Sequence, residues 1–115
     1  MHEYSIVSAL LVQVEDEARK HAEPRVLGIR IRVGELAGVD TELLCTAWSL
    51  FREGTLCAEA ALEVIPEPAR WCCPGCAEKI VPGEVLRCPR CALPARLAEG
   101  DALVLERIEM EVGDV

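Results

Sequence analysis

Aromatic residues are scarce in this chain: two Trp, one Tyr and one Phe among 115 residues. So thin a set offers little shell for burying a redox centre. Histidine is scarcer still. His2 and His21 are the only two, and with one of them at the start of the chain no convincing nucleophile–base pair can be assembled, so an enzyme is the weakest reading. No run of eighteen apolar residues occurs, which excludes a transmembrane helix, and nothing at the N-terminus resembles a signal peptide. Cations are outnumbered, 12 Lys and Arg against 20 Asp and Glu, for a net charge of −8. That balance argues against nucleic-acid binding, which relies on clustered Lys and Arg.

Cysteine, by contrast, is plentiful. The seven thiols are an odd number, which does not suit a disulfide framework, and with no secretory signal they indicate a reducing, cytoplasmic location. Four fall in two matching motifs, Cys73-Pro-Gly-Cys76 and Cys88-Pro-Arg-Cys91, eleven residues apart. In each, Pro fixes φ and the tight turn brings two sulfurs and the inward-facing backbone N–H groups together. Two such turns facing each other supply four soft ligands in a tetrahedron, the arrangement structural zinc prefers. Four cysteines close the coordination sphere, so the metal shapes the chain and performs no chemistry. Cys72 stands beside Cys73 and leaves the choice of ligand between them open. A thioredoxin-like redox pair would not need a second copy. Iron in the same cage is chemically permitted, though the missing aromatic shell speaks against it. Residues 70–98 carry five basic and two acidic side chains; a zinc tetrathiolate adds −2, which leaves no nucleic-acid patch.

Taken in order, residues 4–21 predict an amphipathic helix with Ile6, Val7, Leu10, Leu11, Val14 and Ala18 on one face, and Pro24 follows as a stop. His21 reads as a solvated helix-end residue. Leu27, Ile29, Ile31 and Val33 alternate with Gly28, Arg30 and Arg32, as in a half-buried strand. Asp40 reads as the N-cap of a second helix over 41–53, ended by Gly54. Leu43, Leu44, Ala47, Trp48 and Phe51 make its buried stripe, and Cys45, between apolar neighbours, reads as a small buried hydrophobe. A strand is expected from Cys57 to Ile65, then a stiff Pro66/Pro68 connector. The last strand is expected over Ala102–Val112, with Glu106 interrupting its apolar face. The order implies an α/β (α+β) fold: a small three-stranded sheet with two helices, plus an inserted four-cysteine zinc-ribbon module. The expected domains are 1–67 with 100–115, and 68–99.

The chain opens Met1-His2-Glu3. The free amine of Met1, the deprotonated amide of His2 and its imidazole Nδ1 can chelate one cation in fused rings, with Glu3 completing the set through its backbone or carboxylate. Tetragonal, nitrogen-rich ligation suits Ni(II) or Cu(II) rather than zinc, and amide deprotonation makes it pH-dependent. The alternative is a mobile terminus with no ligand role.

Met1-His2-Glu3 ahead of an amphipathic helix, Ile31-Arg-Val-Gly-Glu-Leu36, Gly54-Thr55 before a strand, the paired Cys-Pro-x-Cys motifs, and a final strand ending Ile108-Glu-Met-Glu-Val112 resemble the HypA/HybF family along essentially the whole length. The resemblance implies a cytoplasmic nickel metallochaperone for [NiFe]-hydrogenase maturation, and in some organisms for urease. It implies transported Ni2+ on Met1, His2 and Glu3, and structural Zn2+ on Cys73, Cys76, Cys88 and Cys91. The implied partners are a nickel-insertion GTPase, the hydrogenase large subunit and, where urease is the client, urease maturation proteins. A homodimer stays open, and no nucleic acid or membrane partner is implied. Cys72, Cys45 and Cys57 are not part of that pattern. Asp40 lies where relatives often carry a polar helix-starting residue, but capping explains it without metal. The rival reading is a zinc-ribbon adaptor with an inert N-terminus.

Overall fold

A computed structural model describes residues 2–81 and 85–113. The chain runs α1 (His2–Ala18), β1 (Arg25–Gly34), α2 (Thr41–Phe51), β2 (Ala61–Glu67), β3 (Arg70–Cys72), β4 (Lys79–Ile80), β5 (Arg96–Glu99) and β6 (Leu103–Glu111). Two three-stranded sheets form, ordered β2-β1-β6 and β4-β3-β5. The expected fold class stands: two helices, a small sheet and a separate cysteine-bearing module. Among the described residues no helix is long and apolar enough to cross a membrane.

The chain divides into two compact units. The first comprises 1–32, 39–65 and 104–115, and the second 33–38 and 66–103. In the first unit, Val7, Leu10, Leu11, Val14 and Ala18 form the buried stripe of α1, and Leu44, Ala47 and Trp48 that of α2. Val26, Ile29 and Ile31 of β1 are likewise fully or nearly fully buried, and with these helix residues they belong to the core. The Trp48 indole donates to the Ala60 carbonyl at 2.9 Å, so this large ring is buried without an orphaned N–H.

Several expectations need correcting. Helix α1 begins at His2, not residue 4. It closes at Ala18, because the next turn tightens: Lys20 and His21 donate three residues back, to Glu17 and Ala18. On β1 it is Val26 that is buried, while Leu27 is 37% exposed; the strict alternation starts only after Gly28, where a Cβ would press to 3.3 Å from the Ala61 carbonyl. The stretch 57–60 is turn rather than strand. Cys45 is exposed and Cys57 buried: Cys45 lies about 100° around the helix from Leu44, off the stripe that its sequence neighbours define. Phe51, expected in the core, is 39% exposed. It sits at the last residue of α2, where its ring meets Tyr4 instead.

Asp40 caps α2 as expected, in extended conformation and accepting the Leu43 N–H at 3.1 Å. On the sheet's wet face Arg30 pairs with Glu63 of β2, and Arg32 with Glu106 of β6. The latter gives Glu106 the role it lacked in the sequence. The inner alternation of β6 slips at that point: Leu105 and Ile108 are both half-buried, with Glu106 and Arg107 exposed between them.

The second unit carries a sheet that the sequence did not disclose. Strand β3 pairs antiparallel with β4, Trp71 opposite Ile80, and with β5, Cys72 opposite Arg96. Gly34 and Gly100 make the unit's tightest approach. A Cβ on Gly34 would lie 2.3 Å from the Gly100 carbonyl carbon, and one on Gly100, at φ +103, 2.6 Å from the Ala69 Cα. The backbone at that crossing has no room for any side chain.

Candidate metal centre

Two loops built alike bring four sulfurs together. In the first, the Cys73 N–H donates to the Glu78 carbonyl, and the Ala77 N–H returns to the Cys73 carbonyl, both at 2.9 Å. In the second, the Cys88 N–H donates to Leu93 and the Ala92 N–H returns to Cys88, again both at 2.9 Å. Ala77 and Ala92 each take a positive φ, +62° and +57°. That left-handed residue, directly after the second cysteine of each motif, folds the loop back on itself at a cost any L side chain feels. Sequence reasoning passed over both alanines; their only signal was the shared Cys-Ala ending.

The cluster joins Cys73, Cys76, Cys88 and Cys91, whose sulfurs all lie within 4.8 Å of one another, with Cys76 and Cys88 at 3.8 Å. A tetrahedral zinc with Zn–S bonds of about 2.3 Å needs sulfurs about 3.8 Å apart. The donor set therefore fits zinc in number, softness and spacing. Backbone amides support it: Gly75 donates to the Cys73 sulfur at 3.3 Å, and Arg90 and Cys91 to the Cys88 sulfur at 3.4 Å. Cys73 and Cys88 are buried, Cys76 and Cys91 exposed, so each loop contributes one inner and one outer sulfur. Arg90 on the second loop faces Glu78 after the first at 3.7 Å.

The thiols do not titrate alike. The Cys76 and Gly75 amides hold the Cys73 thiol below its ordinary value, at about 7. Cys91 is pushed up to about 12 by the Cys76 and Cys73 sulfurs beside it. Cys76 is also raised: the Glu78 amide pulls it down, but burial and the Cys73 and Cys88 sulfurs outweigh that pull. Cys73 ionises readily while Cys76 and Cys91 resist, as expected where like charges would share a small space without a cation. Cys72 is outside the cluster. It belongs to β3, and its sulfur faces the Arg96 guanidinium at 3.4 Å.

The residues at the start of the chain are placed differently. Met1 lies outside the described residues. His2 and Glu3 occupy the first turn of α1, with His2 Nε2 3.3 Å from a Glu3 carboxylate oxygen. The imidazole is 57% exposed and the Glu3 side chain only 4%. The buried carboxylate accepts the Asp40 N–H at 3.2 Å, which ties the first turn of α1 to the start of α2. Hydrogen bonding to the chain's amino terminus, and then to this amide, lowers the Glu3 carboxyl to about 2. It is an anion at any physiological pH. These residues and the cysteine cluster belong to different units.

Known proteins resemble this one over its full span. Residues 1–110 match the family described as "Hydrogenase/urease nickel incorporation, metallochaperone, hypA". A hydrogenase maturation factor HypA from Shewanella oneidensis is 36% identical over 113 residues, covering 96% of each chain. The solution structure of the Ni metallochaperone HypA from Helicobacter pylori superposes with a TM-score of 0.73 at 29% identity, covering 98% of this chain and 100% of that one. A second solution structure of a HypA protein gives 0.78 at 28% identity, with 96% and 97% covered. A family match over 110 residues, relatives above 30% identity and solved structures of the same fold agree: this chain belongs to the HypA family of nickel-incorporation metallochaperones.

Proposed function

We propose that this protein carries Ni(II) on Met1, His2 and Glu3 at its N-terminus. It passes the ion, with a nickel-insertion GTPase, to the large subunit of a [NiFe]-hydrogenase in the cytoplasm. Zinc on Cys73, Cys76, Cys88 and Cys91 holds the second domain, 68–99, while 1–67 and 100–115 form the nickel-binding domain. The protein is a carrier and not a catalyst. It therefore needs a site that binds firmly enough to select the ion and openly enough to surrender it.

The observation that supports this most is the unequal exposure of two neighbours: His2 open at 57%, Glu3 closed at 4%. The N–H groups of a helix's first turn have no intrahelical carbonyl to serve. The His2 amide can therefore lose its proton to a metal without breaking a helical hydrogen bond. The exposed imidazole supplies a second nitrogen and the chain's amine a third. The Glu3 carboxylate, engaged with the Asp40 amide, holds the turn still and adds negative charge beside the ion. Such a nitrogen-rich set suits square-planar Ni(II).

The two metals then divide their tasks by chemistry. Four thiolates enclose zinc with no open position, so it stabilises the second domain and stays. Three N-terminal residues enclose nickel on one side only, so an acceptor can approach from the other. The test is an untagged protein beside one with a single glycine added before Met1. The extension removes the primary amine from the chelate ring while leaving every side chain in place. Retained nickel binding in the extended protein would refute the site.

A further inference from the structure

The first turn of α1 is held at two points, and the second has no part in the metal chemistry described above. Next to Glu3, Tyr4 turns its ring onto that of Phe51, with centroids 5.4 Å apart and planes inclined at 50°. Two of the four aromatic residues in the chain are committed to this one contact. Phe51 is the last residue of α2 and Asp40 the residue before its first. Consecutive residues of α1 thus grip opposite ends of α2, which at 1.5 Å per residue are about 16 Å apart.

We infer that Tyr4 and Phe51 are positioning residues for the N-terminal metal site: their ring contact, with the Glu3–Asp40 hydrogen bond, fixes the rotation of the first helical turn and so the direction in which His2 is presented. This rests on the nickel site proposed above. One attachment would leave the turn free to pivot and fray, as helix ends do. Glu3 and Tyr4 project about 100° apart around the helix axis, so two attachments in different directions remove both pivot and twist. His2, one residue ahead of Glu3, inherits the orientation.

Binding to a site that is competent only part of the time is weakened by the competent fraction. An aromatic pair of this geometry contributes enough to change that fraction about fivefold. The experiment is a double-mutant cycle on the full, zinc-loaded chain with Tyr4→Leu, Phe51→Leu and the double variant, read by NiCl2 titration. Leucine keeps apolar volume at both positions, and far-UV circular dichroism with zinc content verifies the fold. Each single variant is expected to bind nickel about fivefold more weakly, and the double variant no more weakly than either. The d–d spectrum at saturation stays that of the parent protein, because the ligands are unchanged. Tyr4→Phe, which keeps the ring, binds as the parent does. Unchanged affinity in the leucine variants, additive losses, or an altered spectrum would overturn the inference. A His2→Ala control separates the two readings: if it too keeps nickel, the terminal site itself is wrong, whatever Tyr4 does.

Discussion

The Arg32 guanidinium engages one carboxylate oxygen of Glu106 through both Nε, at 3.0 Å, and Nη2, at 2.9 Å. The pair crosses from β1 to β6 between residues 74 positions apart in the chain, and it stands on the wet face of the sheet. Both side chains keep a third or so of their surface in water, so screening limits what the pair contributes. Glu106→Gln should lower stability by about 0.5 kcal/mol, and the loss should shrink further in high salt. Urea midpoints at low and high ionic strength check this; a loss that persists unchanged in molar salt would point to a packing role instead.

The crossing of Gly34 and Gly100 has far less tolerance. Because a Cβ on Gly34 would meet backbone atoms at 2.3 Å, no rotamer change can relieve the clash. Gly34→Ala should cost about 3 kcal/mol or prevent the second unit from folding. Chemical denaturation monitored by Trp71 fluorescence would read it, and a loss under about 1 kcal/mol would show that the backbone there yields easily.

Zinc binding should depend steeply on pH. Cys73 is lowered to about 7 while Cys76 is raised and Cys91 raised to about 12, so metal must displace protons at least from the last two. Two protons released means an affinity that rises about a hundredfold per pH unit near neutrality. In the metal-free chain the sign for Cys73 is that of any depressed acid. Its stabilisation is present above its unfolded value and is lost as pH falls through about 7. Competition with a chromophoric chelator across neutral pH measures the slope, and a flat profile would contradict the account.

The seven thiols should separate by reactivity in the zinc-loaded protein. Burial and the Glu15 carboxylate push Cys57 up to about 11, and its side chain has no exposed surface. It should resist alkylation until the chain unfolds. Cys45, exposed on α2, should react at once. Mass spectrometry after brief iodoacetamide treatment assigns both sites; labelled Cys57 in folded protein would show that the core around it opens. By the same method Cys72→Ser should keep its zinc and Cys73→Ser lose it.

What the sequence could and could not disclose follows from the range of the forces involved. The Cys-Pro-x-Cys loops, the Asp40 cap and the stripe of α1 are local, each set by residues within a turn or two, and they were legible. The family was legible for the same reason, since its motifs are short and keep their order. Cys45 lies in water, against expectation, because burial depends on angle around a helix and on what packs above it, not on the polarity of adjacent residues. Glu106 had no account until Arg32 stood across from it. The three short strands of the second unit carry hardly any alternation, two to four residues each. Pairing to one another around the cysteine loops defines them, and no window of sequence shows that.

The central claim is that one ion is held for keeps and another for delivery. Metal content and nickel titration of untagged protein, beside His2→Ala, test it most directly. The account predicts one zinc in both proteins and one additional nickel in the parent alone, with zinc unaffected by the substitution. Nickel bound equally by His2→Ala, or nickel that displaces zinc from the cysteines, would contradict it.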